Sequence, residues 1–101
     1  MVKHVVMWRL KERAHGNEKA VNALLFKEKL EALEGRIPGL VRIEAGIDFA
    51  GSAASFDVVL YSEFIDREAL VVYQTHPEHE AVKSFIVEAT EERAVVDYED
   101  G

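Results

Sequence analysis

A phenol and two imidazoles stand within seven residues in Val72-Tyr73-Gln74-Thr75-His76-Pro77-Glu78-His79, and a third imidazole, His4, lies near the start of the chain. Histidine exchanges protons near neutral pH, and a tyrosine hydroxyl can hold or polarise a carbonyl or enol oxygen. Facing one pocket, the two groups would suit proton abstraction beside a carbonyl, with no cofactor needed. A plainer reading stands beside this one. His76 precedes Pro77, which favours an extended backbone, and would then simply cap the next helix. His79, between Glu78 and Glu80, would be an ordinary surface residue. His4 would be a neutral core histidine beside Trp8.

Other chemistries find less support. His4, His76 and His79 are candidate metal ligands by type, but their spacing matches no established zinc pattern. Phosphate loops, paired-glycine dinucleotide turns and serine elbows are absent. The expectation is therefore no metal and no cofactor.

The elements that must position these groups are legible from periodicity. Val2, His4, Val6, Trp8 and Leu10 alternate with Lys3, Val5, Met7 and Arg9, which predicts a strand. Its second face carries Val5 and Met7, so this strand should be covered on both sides. Asn17 is placed to cap a helix from Glu18, with an apolar stripe through Val21, Leu24, Leu25, Phe26, Leu30, Leu33 and Ile37. Gly35 and Pro38-Gly39 are expected to end it. Strands are predicted over Leu40 to Phe49 and Phe56 to Phe64, joined by the small-residue turn Ala50 to Ser55. Asp66 caps a short helix ending near Gln74, and Pro77 opens another running through Ala89. Arg93 to Asp100 returns to strand.

This order, strand–helix–strand–strand–broken helix–strand, is the split βαβ arrangement of ferredoxin-like α+β domains: both helices lie on one face of a four-stranded antiparallel sheet. The open face, with Val5, Met7, Val59, Tyr61 and Val95 expected on it, calls for a second copy. The prediction is a two-fold homodimer through the sheet face.

Composition bounds the rest. A chain of 101 residues is read as one domain. A net charge of −7 with dispersed basic residues argues against nucleic acid and anionic lipid. No apolar run reaches the roughly 20 residues of a membrane helix. There is no cysteine, which removes disulfides, thiolate metal sites and a cysteine nucleophile. That absence and the early Arg9 and Lys11, which interrupt any signal peptide, point to a cytoplasmic address.

Four pieces taken in order, Val2-Lys3-His4-Val5-Val6, Ile37-Pro38-Gly39, Tyr73-Gln74-Thr75-His76-Pro77-Glu78-His79 and Val96-Asp97-Tyr98-Glu99, resemble the stress-responsive dimeric α/β-barrel (Dabb) family over nearly the whole chain. The resemblance implies a ferredoxin-like protomer and a barrel-forming homodimer. That family includes a plant polyketide cyclase making olivetolic acid by cofactor-free aldol closure. By that likeness His79 would be a general base and Tyr73 its partner, orienting it or holding the carbonyl. His4, Trp8, Phe26 and His76 would meet the substrate. A further pocket tyrosine on that enzyme's first helix has no counterpart here, since Val21 to Leu33 contains Phe26 but no hydroxyl. Three functions are carried forward: a cofactor-free enzyme on a small carbonyl or polyketide-like compound, a homodimer that binds a small apolar ligand without turnover, and a fold in which the trio only caps and packs.

Overall fold

The alternating opening residues form β1 (Val2–Leu10), an inner strand of a four-stranded antiparallel sheet. In the computed structural model, whose description covers residues 1–100, the chain continues through a two-residue pair, β2 (Arg13–Ala14) and β3 (Asn17–Glu18). Then follow α1 (Lys19–Glu31), β4 (Leu40–Ile47), β5 (Val58–Phe64), α2 (Arg67–Thr75), α3 (Pro77–Ala89) and β6 (Thr90–Glu99). The sheet order is β4-β5-β1-β6, the ferredoxin-like order expected from the element sequence.

One face of β1 is buried throughout: Val2, His4, Val6, Trp8 and Leu10. Against it pack Phe26 and Leu30 of α1, Leu70 and Tyr73 of α2, and Ile86 and Ala89 of α3. Burying a side chain such as Phe26 contributes about 1.5–3 kcal/mol. The helix layer lies over β4, β5 and β1 but stops short of β6, which is exposed along almost its whole length. A hollow opens at that edge.

The helix boundaries follow local chemistry. Asp66 accepts a hydrogen bond from Ala69 N at 2.8 Å and starts α2, as its type and place predicted. Pro77 occupies the first turn of α3, where its missing N–H leaves nothing unpaired. Gly39 has φ +82, and a Cβ there would lie 2.5 Å from Ala69 Cβ. Only glycine lets the segment after α1 pass so close to α2.

Several expectations need correction. Asn17 does not cap α1; the N-cap is Glu18, without a side-chain bond, and Asn17 Nδ2 instead donates to Asn22 Oδ1 at 3.2 Å. Asn22, fully buried, in turn donates to Ala14 O at 3.0 Å, so a polar residue takes a core position on α1 while Val21 and Leu24 stay exposed. The helix ends at Glu31, before Gly35, and the chain reaches β4 through turns. β4 stops at Ile47, leaving Phe49 outside it, and β6 begins three residues early at Thr90. Val95, expected on the open face, is not there. It pairs with Val6 on the helix-facing side, and Val96, opposite Val5, belongs to the open face.

That open face is of two kinds. Val5, Met7, Val59, Ala94 and Val96 make an apolar half. The other half is a polar network. Lys3 Nζ donates to Tyr61 Oη at 2.9 Å, and Tyr61 donates to Glu63 at 2.7 Å. Glu63 also meets Lys3 at 3.4 Å and Arg42 at 4.0 Å. The Tyr61 bond is the main reason the Lys3 ammonium is held above the ordinary lysine range and the Glu63 carboxyl below the ordinary glutamate range.

Candidate functional site: a cavity beside the broken helix

The break between α2 and α3 aims His79. Carbonyls in the last turn of a helix have no partner within it, and Gln74 O is one of these because Pro77 prevents α2 from continuing. His79 Nδ1 lies 3.3 Å from that oxygen. A carbonyl can only accept, so Nδ1 carries the proton and the lone pair of the neutral ring stands on Nε2. Burial pushes the His79 imidazole below the ordinary histidine range, against the opposing pull of the Gln74 carbonyl and Glu80. At neutral pH it is an unprotonated base.

Tyr73, one turn before the break, is 0 % exposed, and its hydroxyl has no hydrogen-bond partner. Desolvation raises its pKa far above neutrality, so it stays a phenol and can donate. Its ring centroid lies 4.3 Å from that of His79, 6.0 Å from His4 and 5.0 Å from Phe64. The two imidazoles flank one phenol.

His4 Nδ1 bonds the Asp97 carboxylate across the β1–β6 pairing, where these residues stand directly opposite each other. The carboxylate fixes that nitrogen as the donor and leaves His4 Nε2 as the free one, the same logic that orients a metal-bound or catalytic histidine. Four residues along β1 and on the same face, Trp8 is 4 % exposed, packs edge-on against Phe26 at 5.6 Å, and its Nε1–H has no acceptor.

These groups border a cavity of about 740 Å³, within the size range of small-molecule sites. Its walls are partly apolar, with Val6, Leu30, Leu60 and Ile86 among them. The cavity therefore brings together four of the six residues singled out from the sequence: His4, Trp8, Tyr73 and His79. Two are elsewhere. His76 is the N-cap of α3, its Nδ1 accepting from Glu78 N at 3.1 Å, and is not on the cavity wall. Phe26 is fully buried behind Trp8. Of the two roles expected for Tyr73, orienting His79 or holding a carbonyl, the first has no hydrogen bond behind it: the rings lie tilted at 39°, and the imidazole bonds the Gln74 carbonyl. Asp97 and the Gln74 oxygen were missed as partners. Asp97 could only be found by knowing that β6 pairs with β1, and a backbone oxygen leaves no trace in residue type. Among the described residues no group of three His, Asp or Glu side chains gathers closely enough to hold a metal ion, and no helix is long and apolar enough to cross a membrane.

Comparison with known proteins agrees with this architecture. A dimeric protein of unknown function and ferredoxin-like fold from Bacteroides fragilis is 38% identical, with a TM-score of 0.86 over 98% of this chain and 95% of its own. An Arabidopsis thaliana protein aligns at 20% identity and TM-score 0.80 over 100% of this chain and 96% of its own. A hydroxynitrile lyase from Passiflora edulis aligns at 19% identity and TM-score 0.74, covering 96% and 90%. The last two likenesses concern the fold alone. No curated protein matches the sequence. The model of the stress-responsive A/B barrel domain matches residues 2–100, and the chain belongs to that family, Dabb.

Proposed function

We propose that the cavity is the active site of a cofactor-independent enzyme that moves a proton on a small carbonyl compound. His79 Nε2 takes a proton from the carbon beside the carbonyl. The C–H electron pair becomes the enolate, whose charge gathers on the carbonyl oxygen, and Tyr73 donates its hydroxyl hydrogen bond to that oxygen. The enolate carbon is then free to attack a second carbonyl or to be reprotonated. His4, held by Asp97 through Nδ1, is a second imidazole whose free Nε2 can accept a proton or a hydrogen bond. The observation that carries the reading is the Tyr73 hydroxyl: a buried donor without an acceptor, on the wall of a cavity, beside an imidazole whose basic nitrogen is unengaged. An unpaired buried hydroxyl costs about 1–3 kcal/mol, and a ligand oxygen would remove that penalty.

The test is turnover on a panel of enolisable ketones and polyketide-like compounds. His79→Ala should lower kcat by about 10²–10⁴, the range of general-base catalysis. Tyr73→Phe should lower kcat more than it raises KM, because its bond strengthens as charge develops. Unchanged kcat in both variants removes the catalytic reading. A second reading, a ligand-binding protein without turnover, draws on the apolar walls and on the missing Tyr73–His79 hydrogen bond. It predicts saturable binding with the wild-type protein itself inert in every turnover assay.

The protein would act as a cytoplasmic homodimer through the open sheet face. The apolar half of that face supports the pairing, as does the dimeric description of the Bacteroides fragilis relative. Exposed valines and methionine on one contiguous patch are what a two-fold contact would cover.

A further inference from the structure

The chain has 12 lysines and arginines and a net charge of −7, and most of these cations are engaged by other groups of the protein. Lys3, Arg9, Lys19, Lys27, Arg36, Arg42 and Arg67 all form ion pairs. Arg13 donates to Gly16 O, and Lys29 lies over the Phe85 ring. Among the described residues only Lys11, Lys83 and Arg93 have no such partner, and the last two line the cavity.

Their places are set by the elements that carry the site. Lys83 is one turn beyond His79 on α3, about 6 Å along the helix axis, so both side chains share a face. Arg93 stands directly opposite Trp8 in the β1–β6 register, and cross-strand partners point the same way. Glu80 and Glu91 border the same mouth, yet neither comes within ion-pair distance of Lys83 or Arg93; Glu92 is taken by Arg9 at 3.1 Å. The two cations are held apart from the carboxylates rather than neutralised by them. Trp8, also on the cavity wall, carries a second unpaired donor, a buried Nε1–H that can only give a hydrogen bond.

We infer that the ligand of this cavity is an organic anion: an apolar body carrying a carbonyl oxygen at one end, met by Tyr73 and Trp8, and a negatively charged oxygen group at the other, met at the mouth by Lys83 and Arg93. This deepens the active-site reading above by naming the substrate class, and Trp8 becomes a specificity-determining donor beside Tyr73. Guanidinium and ammonium together read carboxylate or phosphate oxygens. The charge class is shared by a free carboxylic acid and by a phosphate-bearing carrier.

Trp8 is the only tryptophan, so its fluorescence reports occupancy without a label. Three probes of similar length separate the ideas: 7-oxooctanoate, its trimethylammonium analogue, and neutral 2-octanone. At low ionic strength 7-oxooctanoate should bind at least tenfold more tightly than 2-octanone, and the advantage should shrink with added salt. In Lys83→Met/Arg93→Met, with circular dichroism unchanged, the two should bind alike. Replacing the carboxylate by a phosphate monoester of the same chain tells the acid from the carrier: tighter binding of the phosphate assigns a carrier, weaker binding a free acid, and either supports the charge assignment. Equal binding of 2-octanone, preference for the cationic analogue, a preference that survives the double variant, or no saturable binding at all would each overturn it. Binding needs no turnover. If His79→Ala and Tyr73→Phe leave kcat unchanged while the anion preference holds, the catalytic reading fails and this one stands.

Discussion

The two sides of the sheet solve opposite problems. On the open side a polar network holds together while apolar groups lie bare: Lys3, Tyr61, Glu63 and Arg42 engage one another, while Val5, Met7 and Val96 have no cover. On the helix side the apolar groups are buried, and it is the polar ones that lack partners, namely the Tyr73 hydroxyl and the Trp8 N–H. Unmet greasy surface is relieved by another protein surface, because the hydrophobic effect is non-directional and scales with area. Unmet donors are relieved by a few atoms in the right place. One chain thus presents two kinds of incompleteness, and each names the size of what completes it.

The largest effect should come from the open side. Val5→Lys sets a charge in the middle of the apolar half, and a buried unpaired ammonium costs several kcal/mol. The dimer should weaken by at least about 100-fold, seen as a halved mass by light scattering, with helix content unchanged. A mass that stays dimeric places the contact elsewhere. On the helix side the sign reverses. Tyr73→Phe removes an unpaired buried hydroxyl without changing the ring, so the free protein should gain about 1 kcal/mol of stability in urea unfolding while function declines. Loss of stability instead would mean that the hydroxyl has a partner in solution and the cavity is not waiting for one.

His79 sharpens the contrast through pH. Its folded pKa is depressed, so above about pH 6.5 the ring is neutral in both folded and unfolded chains and contributes no pH dependence. As pH falls below that value the unfolded chain takes up the proton first, and stability declines until the folded pKa is reached. The imidazole should titrate by NMR below 6.5, and His79→Ala should flatten the acid limb of the stability curve. A midpoint at or above 6.5 would contradict the desolvated setting. The smallest change is expected from Arg42→Gln. Arg42 is itself half-exposed where it meets Glu44 at 3.5 Å and, more loosely, Glu63 at 4.0 Å, and such pairs contribute about 0–1 kcal/mol. Unfolding should move by less than about 0.5 kcal/mol.

How far these regions could be read in advance depended on whether the signal was local. The strand order and the helix break were local: alternation in Val2 to Leu10, Asp66 before a helix, Pro77 at the head of another. The convergence of His4, Trp8, Tyr73 and His79 followed from placing those elements in the ferredoxin-like order. What failed was pairwise. β6 carries valine on both parities, so alternation could not say whether Val95 or Val96 faced the helices; the pairing of Val6 with Val95 decides it. Asp97 meets His4 across 93 positions of sequence. Asn22 occupies the core because the short β2–β3 pair brings the Ala14 carbonyl to it, a partner invisible to helical periodicity. His76 and His79 are three positions apart and of one type, yet one caps a helix and the other faces a cavity. His76 stands before α3 on extended backbone, its ring turned back to Glu78 N, whereas His79 lies within the helix's first turn.

The break at Pro77 has a further effect on how this chain can change. Because the oxygen that aims the His79 ring belongs to the main chain, every amino acid at position 74 supplies it equally. Position 74 can drift in size or polarity without removing the oxygen that aims the base, and Gln74→Ala should leave its titration where it was; only a charge there, on the wall of the same cavity, would act on the imidazole. Pro77 has no such freedom: restoring an N–H there invites the two helices to fuse, and the freed carbonyl would be lost to the new turn.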